Sequence, residues 1–433
     1  MSEVSQRGRP VHGLRADWSR MREQARRHGP VWLLAQTGLS LAALWVVWRL
    51  GRATLGWVLE VARWDVVASN LQLFAIGAYP RDLSWRPALA LILVCALIGL
   101  SAVAWGGILR DFSRLLRLTF ATLLALPLLT PLAAALGSPE LAGLFAAFGA
   151  ARGLLATGLL LLLAAGLLQT RAEVIAAWLP DRLRPGRIGL SRGLRVAWIA
   201  SLPAILLLLD SSGSGSSASV TEGWGGLLLT LVLAAGSIAL SFPLGLLLAL
   251  GRRSRLPLVK LICVLFIELV RGLPLVTLLY MAGLLLPLIM PAGLRPNDVL
   301  RAMAGLTCFA AAYLAEDIRG GLAAVGAGQY EAARALGLSS LATHRRVILP
   351  QALRAVIPAI VGQFISLFKD TSLAIIIGLR ELLGIARTVT SQPEHIGLYR
   401  EALSFIAIVY FVFSFAMSRA SQRLERELER ADR

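Results

Sequence analysis

Apolar runs of roughly twenty residues recur along the chain, each closed by a short polar stretch that carries arginine. A helix needs about 20 such residues to cross a hydrocarbon core of roughly 30 Å. In the first half the runs fall near 31–50, 88–108, 118–136, 152–170 and 194–210. In the second half they fall near 224–250, 259–281, 299–318, 351–368 and 401–418. The pattern predicts an all-α, polytopic membrane protein with about ten transmembrane helices. Two polar interruptions stand out. The first, DSSGSGSSASVTEG from Asp210 to Gly223, is rich in Gly and Ser and reads as a linker over 211–223. The second, EAARALGLSSLATHRRVILP from Glu331 to Pro350, lies between two long apolar stretches and must sit in water. Its Ala-rich run ending at Gly337 reads as a surface helix with a glycine stop.

Composition agrees: 57% of the 433 residues are hydrophobic and 16% charged, too apolar for the surface of a soluble fold. The net charge of +18 raises the question of a nucleic-acid binder. However, the arginines cluster between apolar runs, as the positive-inside rule requires, and no soluble segment interleaves aromatic with basic residues. The charge therefore gives topology. Arg7, Arg9, Arg15, Arg20, Arg22, Arg26 and Arg27 make residues 1–30 a basic cytoplasmic tail without the apolar core of a secretory signal. Residues 31–210 form an N-terminal membrane extension of about five spans, 211–223 an extracytoplasmic linker, 224–420 a second five-span unit, and 421–433 a cytoplasmic tail. Loops at 110–117 and 171–195 then fall inside, and 51–86 and 137–151 outside, although Arg52, Arg63, Arg81 and Arg86 blur the first outer loop. The extension shows no duplication of the second unit.

Candidate chemistry is sparse. Cys95, Cys263 and Cys308 lie in apolar runs without metal-site spacing, and His12, His28, His344 and His395 are scattered over loops, so neither a metal nor a cofactor is implied. A phosphate-binding loop needs Gly-Lys-Ser/Thr, yet the two lysines stand in LVKLI (Lys260) and FKDTS (Lys369). Any ATP site of that kind belongs to another chain. In FIELVRGLPLV, Glu268 and Arg271 are three apart on one helical face and can neutralise each other. Gly272, which permits close approach, and Pro274, which lacks a backbone donor, predict a bend there. Glu316 and Arg319 repeat the pairing before Gly320 and Gly321. Lys369 and Asp370 beside Thr371 and Ser372 suit the two charged ends of an amino acid, and equally suit a helix end whose residues satisfy one another. All of these are candidates for a translocation pathway or for structural ion pairs.

Four stretches, in order, resemble the permeases of polar amino-acid ABC importers. They are GGLLLTLVLAAGSIALSFPLGLLLAL from Gly225, FIELVRGLPLV (family FVELFRGTPLL), AAYLAEDIRGG from Ala311 with Gly328 to Pro350, and QFISLFKDTSLAIIIG from Gln363 (family NQFISLLKDTSL). The insert resembles the family's EAA loop, on Glu331, Ala332, Ala333, Gly337, Val347, Leu349 and Pro350, within a coupling loop over 321–350. Asp317, Gly326 and Val347 depart from the residues usual at their positions. The long extension narrows the resemblance to the general L-amino-acid and glutamate/glutamine/aspartate/asparagine type. It implies a five-helix importer core in the bacterial inner membrane, working by alternating access. The implied partners are a cytoplasmic ATPase dimer, a second permease subunit, either different or identical, with the extension favouring a different one, and an extracytoplasmic amino-acid-binding protein. A secondary transporter driven by an ion gradient is the alternative; it wants midplane ionisable groups and an inverted repeat, neither of which is evident. An intramembrane enzyme lacks any Ser/His, paired-Asp or metal signature in the spans.

Overall fold

The computed structural model describes residues 13–105, 107–170, 187–210, 221, 223–291 and 296–431. The expected linker lies almost wholly outside the described residues, as do Arg7, Arg9 and the predicted inner-loop arginines Arg171, Arg182 and Arg184. Among the described residues regular structure is helical, apart from an isolated parallel bridge between Gly226 and Glu381.

The chain forms two compact units. The first ends at Ala62 and takes in Leu136–Ser138. It is built on α1 (Gly13–Gly56), followed by a π-helical turn at Trp57–Val61. Leu39, Leu44, Val47 and Leu55 of α1 are exposed on several sides, which suits a lipid solvent. Arg49 lies 5.6 Å from the Trp45 ring centroid and Arg52 5.6 Å from that of Trp48, so each cation rests on the aromatic one turn earlier.

The second unit holds Arg63–Ala135 and Pro139–Arg433. Its first part comprises the short α2 (Asp65–Ala68) and α3 (Leu71–Ile76), then α4 (Trp85–Trp105), α5 (Gly107–Ala125), α6 (Thr130–Ala135), α7 (Pro139–Ala147), α8 (Arg152–Thr170) and α9 (Arg187–Leu208). Cys95, Phe120, Leu155 and Leu162 make a buried cluster among α4, α5 and α8. Gly158 lets the Phe120 ring approach, since a Cβ there would stand 2.6 Å from Cε1. The stretch 137–151, expected as a loop, is largely helical, because Pro139 opens α7 where its missing N–H costs nothing.

The second part contains α10 (Gly226–Arg252), α11 (Pro257–Gly272), α12 (Leu275–Tyr280), α13 (Leu286–Ile289), α14 (Asp298–Ala324), α15 (Ala327–Ala335), α16 (Ser340–Thr343), α17 (Leu349–Asp370), α18 (Leu382–Thr390) and α19 (Tyr399–Ala431). Helix α14 is the axis: Ala310, Ala311, Ala312, Leu314 and Ile318 are fully buried. Small residues bring its neighbours close, as membrane helix packing requires. A Cβ on Gly245 of α10 would lie 3.0 Å from the Ala311 carbonyl oxygen, and one on Gly321 only 2.4 Å from the Ala352 oxygen of α17.

The two parts pack together through α3. A Cβ on Gly77, whose φ is +71°, would stand 2.4 Å from Gly225 Cα, and one on Gly226 2.3 Å from the Phe74 oxygen. Phe74 meets the Phe405 ring edge-on at 5.2 Å, and Asn70 Nδ2 lies 3.2 Å from His395 Nε2. Tyr79 and Trp224 both donate to the Leu209 carbonyl at 3.1 Å.

Among the described residues six stretches are long and apolar enough to cross a membrane: Arg81–Ser101, Leu116–Ala135, Gly226–Arg252, Asp298–Ala324, Ser340–Ile377 and Tyr399–Arg423. Two bent pairs raise this to eight if each counts as one span. They are Pro139–Ala147 with Arg152–Ala164, bent by 60°, and Pro257–Gly272 with Leu275–Ile289, bent by 110°. The expected ten also included 31–50, which lies within α1, and 194–210, which overlaps a shorter apolar helix, Gly193–Leu208.

Candidate functional site: a polar turn and a charge cluster

The polar insert folds as two short helices at a tight corner. After α14 the chain extends through Val325 and Gly326, and α15 runs to Ala335 with Leu336 as its cap. Gly337 then adopts φ +71°, its N–H donates to the Arg334 carbonyl at 2.9 Å, and the Leu338 N–H donates to Ala333 at 3.1 Å. These paired bonds are the Schellman ending that a left-handed glycine allows. Ser339 caps α16 by accepting from the Ala342 N–H at 3.3 Å, and a π-helical turn at His344–Ile348 leads into α17 with Pro350 in its first turn.

Burial divides the insert in two. Ala333 and Ile348 are buried, Val347 and Leu349 half-buried, and Glu331, Ala332, Gly337 and Pro350 exposed. At the corner Leu336 is 80% and Leu341 79% exposed, bare apolar side chains in a polar segment. The sequence reading missed both: leucines in an Ala-rich run look like core until the turn is built. Gln351 Nε2 donates to Gln329 Oε1 at 3.1 Å on the exposed surface, and the Tyr330 and His344 rings meet at 6.0 Å. A cavity of about 420 Å³ lies beside them, lined by Ala324, Val325, Gly326, Gly328, Gln329 and Gln351.

Next to the root of this insert stands a charge cluster centred on Glu316. Its carboxylate accepts from Arg319 of the same helix at 2.5 Å, from Arg252 of α10 at 3.3 Å, and faces Arg271 of α11 at 3.8 Å. Arg252 also reaches Glu268 at 3.1 Å, and the Arg271 guanidinium lies over the Tyr313 ring at 5.4 Å. The expected pairing of Glu268 with Arg271 is therefore replaced by a network across three helices. Both residues sit in the last turn of α11 before its break, which leaves Arg271 turned to α14 and Glu268 to Arg252. Gly272 also differs from expectation: nothing lies within 4 Å of a Cβ placed there, so it ends the helix and admits no close neighbour.

The hydroxyls beside Lys369 and Asp370 are used locally: Thr371 is fully buried and donates to the Phe368 carbonyl at 2.7 Å, while Ser372 donates to Lys369 at 2.8 Å. A 3-10 helix, Thr371–Ile377, follows and turns at Gly378 (φ +87°) into a buried carboxyl that pattern reading passed over. Glu381 is fully buried; it caps α18 by accepting from Leu383 N–H at 2.9 Å and Gly384 N–H at 3.0 Å, and accepts from Tyr410 at 3.2 Å. Burial pushes its pKa up to about 7, against the hydrogen bonds that favour the charge. Among the described residues no group of three His, Cys, Asp or Glu side chains is placed to hold a metal ion.

Residues 241–430, from within α10 to the end of α19, match the family described as binding-protein-dependent transport system inner membrane component. A glutamate/glutamine/aspartate/asparagine transport system permease protein of Rhodobacter capsulatus is 39% identical over 383 residues, covering 86% of this chain and 80% of that one. The chain belongs to the amino-acid ABC transporter permeases. This permease also aligns with an inner membrane amino-acid ABC transporter permease protein of Escherichia coli (strain K12), 47% identical over 231 residues, 53% of this chain and 63% of the relative. The match thus spans less than two thirds of that relative's length. A solved amino acid ABC transporter is 32% identical, with a TM-score of 0.43 over 47% of this chain and 92% of its own. The permease is a multi-pass membrane protein, and the matched region contains the polar turn at Gly337, the Glu316 cluster and Glu381.

Proposed function

We propose that this permease is one subunit of an ATP-driven importer that admits polar L-amino acids across the bacterial inner membrane by alternating access. The corner at Leu336, Gly337 and Leu341 carries the reading: exposed leucines on a water-facing turn mark a protein contact. They fit a groove on a separate cytoplasmic ATPase dimer, with Glu331, Ala332 and Ala333 setting the helix that presents them and Val347, Leu349 and Pro350 joining it to α17. ATP closure of the dimer moves the turn, and α14 and α17 carry that movement outward. Neither lysine lies in a phosphate-binding loop, which supports entry of the energy from a separate ATPase through this turn.

In this reading both termini, 1–30 and 421–433, face the cytoplasm. Residues 31–210 are the membrane extension, 211–223 an extracytoplasmic linker, and 224–420 the permease core with its coupling loop at 321–350. A binding protein delivers the amino acid at the outer face, and a second, different permease subunit completes the pathway. Glu268, Arg271, Glu316 and Arg319 hold the inner helix ends together, with Gly272 and Pro274 setting the break in α11. Lys369, Asp370, Thr371 and Ser372 close the outer end of α17. The test is uptake in vesicles reconstituted with the partners: accumulation should require ATP and the ATPase. Uptake that follows a sodium or proton gradient and persists without the ATPase would reject this function.

A further inference from the structure

The turn at Arg380–Glu381 knots three elements. The Gly226 N–H opening α10 donates to the Arg380 carbonyl at 2.9 Å, and the Leu382 N–H donates to Thr230 Oγ1 at 3.2 Å. Glu381 accepts from the next two N–H groups of α18, those of Leu383 and Gly384, and its Oε2 accepts from Tyr410 of α19. The Tyr410 hydroxyl also meets those of Thr371 and Thr230. All of Glu381, Thr230 and Thr371 are sealed from solvent. Tyr410 is the ionisable side chain bonded to the carboxyl; α10 and the 3-10 helix contribute Thr230 and Thr371, α3, which also packs on α18, carries no ionisable residue, and the 3-10 turn Pro393–His395 packed on α18 carries Glu394 and His395, the latter against Asn70. Arg380 and Arg387 on its own segment are exposed. Among the described residues no cationic side chain bonds the carboxyl.

We propose that Glu381 is a proton-operated latch between α18 and α19, closed and dry when its carboxyl is protonated and released when it ionises. The proposal rests on the reading above for the placement of this joint at the outer face. Its direction follows from linkage. A carboxyl held near 7 in the dry joint and near its ordinary value once wetted releases a proton when the joint opens, so rising pH favours the open form. Acid below the wetted value adds nothing further, and above about 7 the effect is complete. The device needs no added ligand: water entering between α18 and α19 hydrates the carboxylate, and Tyr410 can turn to the threonine hydroxyls it already meets.

Two measurements on the assembled importer test it. Infrared difference spectra of the purified complex, titrated from about pH 5 to about pH 9, should show one protonated-carboxyl band titrating near neutrality and missing in Glu381→Gln. In vesicles, ATP-driven uptake should rise severalfold as the outside pH is raised from about 5 to about 7 and level off above that. Glu381→Gln should be flat at the acid level, and Tyr410→Phe, which removes a donor from the carboxylate, should move the midpoint upward. A wild-type profile that is flat, or one retained in Glu381→Gln, overturns the latch. If the Gln variant does not assemble, an unmoved midpoint in Tyr410→Phe overturns it equally. The spectra need no transport, so a carboxyl that titrates in a complex without ATP-driven uptake rejects the importer and not the buried proton site.

Discussion

Gly337 shows how one backbone angle sets up a surface. Its φ of +71° closes the Schellman turn, while no atom lies within 4 Å of a Cβ placed there. Substitution is therefore limited by the backbone alone. Gly337→Ala should cost about 1 kcal/mol locally, and Gly337→Val more, because a branched Cβ is poorly tolerated in the left-handed region. Helix content by circular dichroism should hold in both variants, and co-purification of the ATPase should fall in the order Gly, Ala, Val. Equal recovery from all three would remove the turn from the docking surface. This glycine was legible in the sequence, since it follows an Ala-rich run at the place a helix must stop. Glu381 was not, because a glutamate in GLRELLGIA looks like an ordinary cap until Tyr410, 29 residues away, is brought against it.

The pair α15–α16 illustrates what a helical element adds to its residues. Ala333 faces inward and Leu336 and Leu341 face water, so the element presents its larger apolar groups away from its own protein. Replacing both leucines with Ser should change the stability of the isolated permease by no more than about 0.5 kcal/mol, as for other exposed positions. ATP-coupled uptake should drop about tenfold or more, since each buried leucine at an interface contributes roughly 1.5–3 kcal/mol. Thermal unfolding and vesicle uptake measured on the same preparation separate the two effects. A matching loss in both would mark the leucines as internal packing residues. The existence of this helix was readable from Glu331 to Gly337; which leucines it exposes depended on the corner that Gly337 makes.

In the second unit as a whole, the short α3 joins the helices before Asp210 to those after Gly225 through three glycines. Gly77→Ala combines a left-handed backbone with a Cβ 2.4 Å from Gly225 Cα, so the two segments must part. The expected cost is about 2–4 kcal/mol from strain and overpacking. It should appear as a lower unfolding temperature and faster hydrogen exchange in α3 and at the start of α10. An unchanged exchange pattern would show that α3 is not held by this contact. Local pattern dictated much of the molecule: the long apolar helices, the break at Gly272–Pro274, the polar insert and the absence of a phosphate-binding loop among its lysines. Such features depend on neighbours a few residues apart, or on composition. Distance in the chain hid the rest. Arg252 meets Glu316 across 64 residues, Asn70 meets His395 across 325, and Glu381 takes its raised pKa from four elements closing around it. Desolvation and cross-helix pairing are properties of the packed molecule, so only the tertiary structure could assign them.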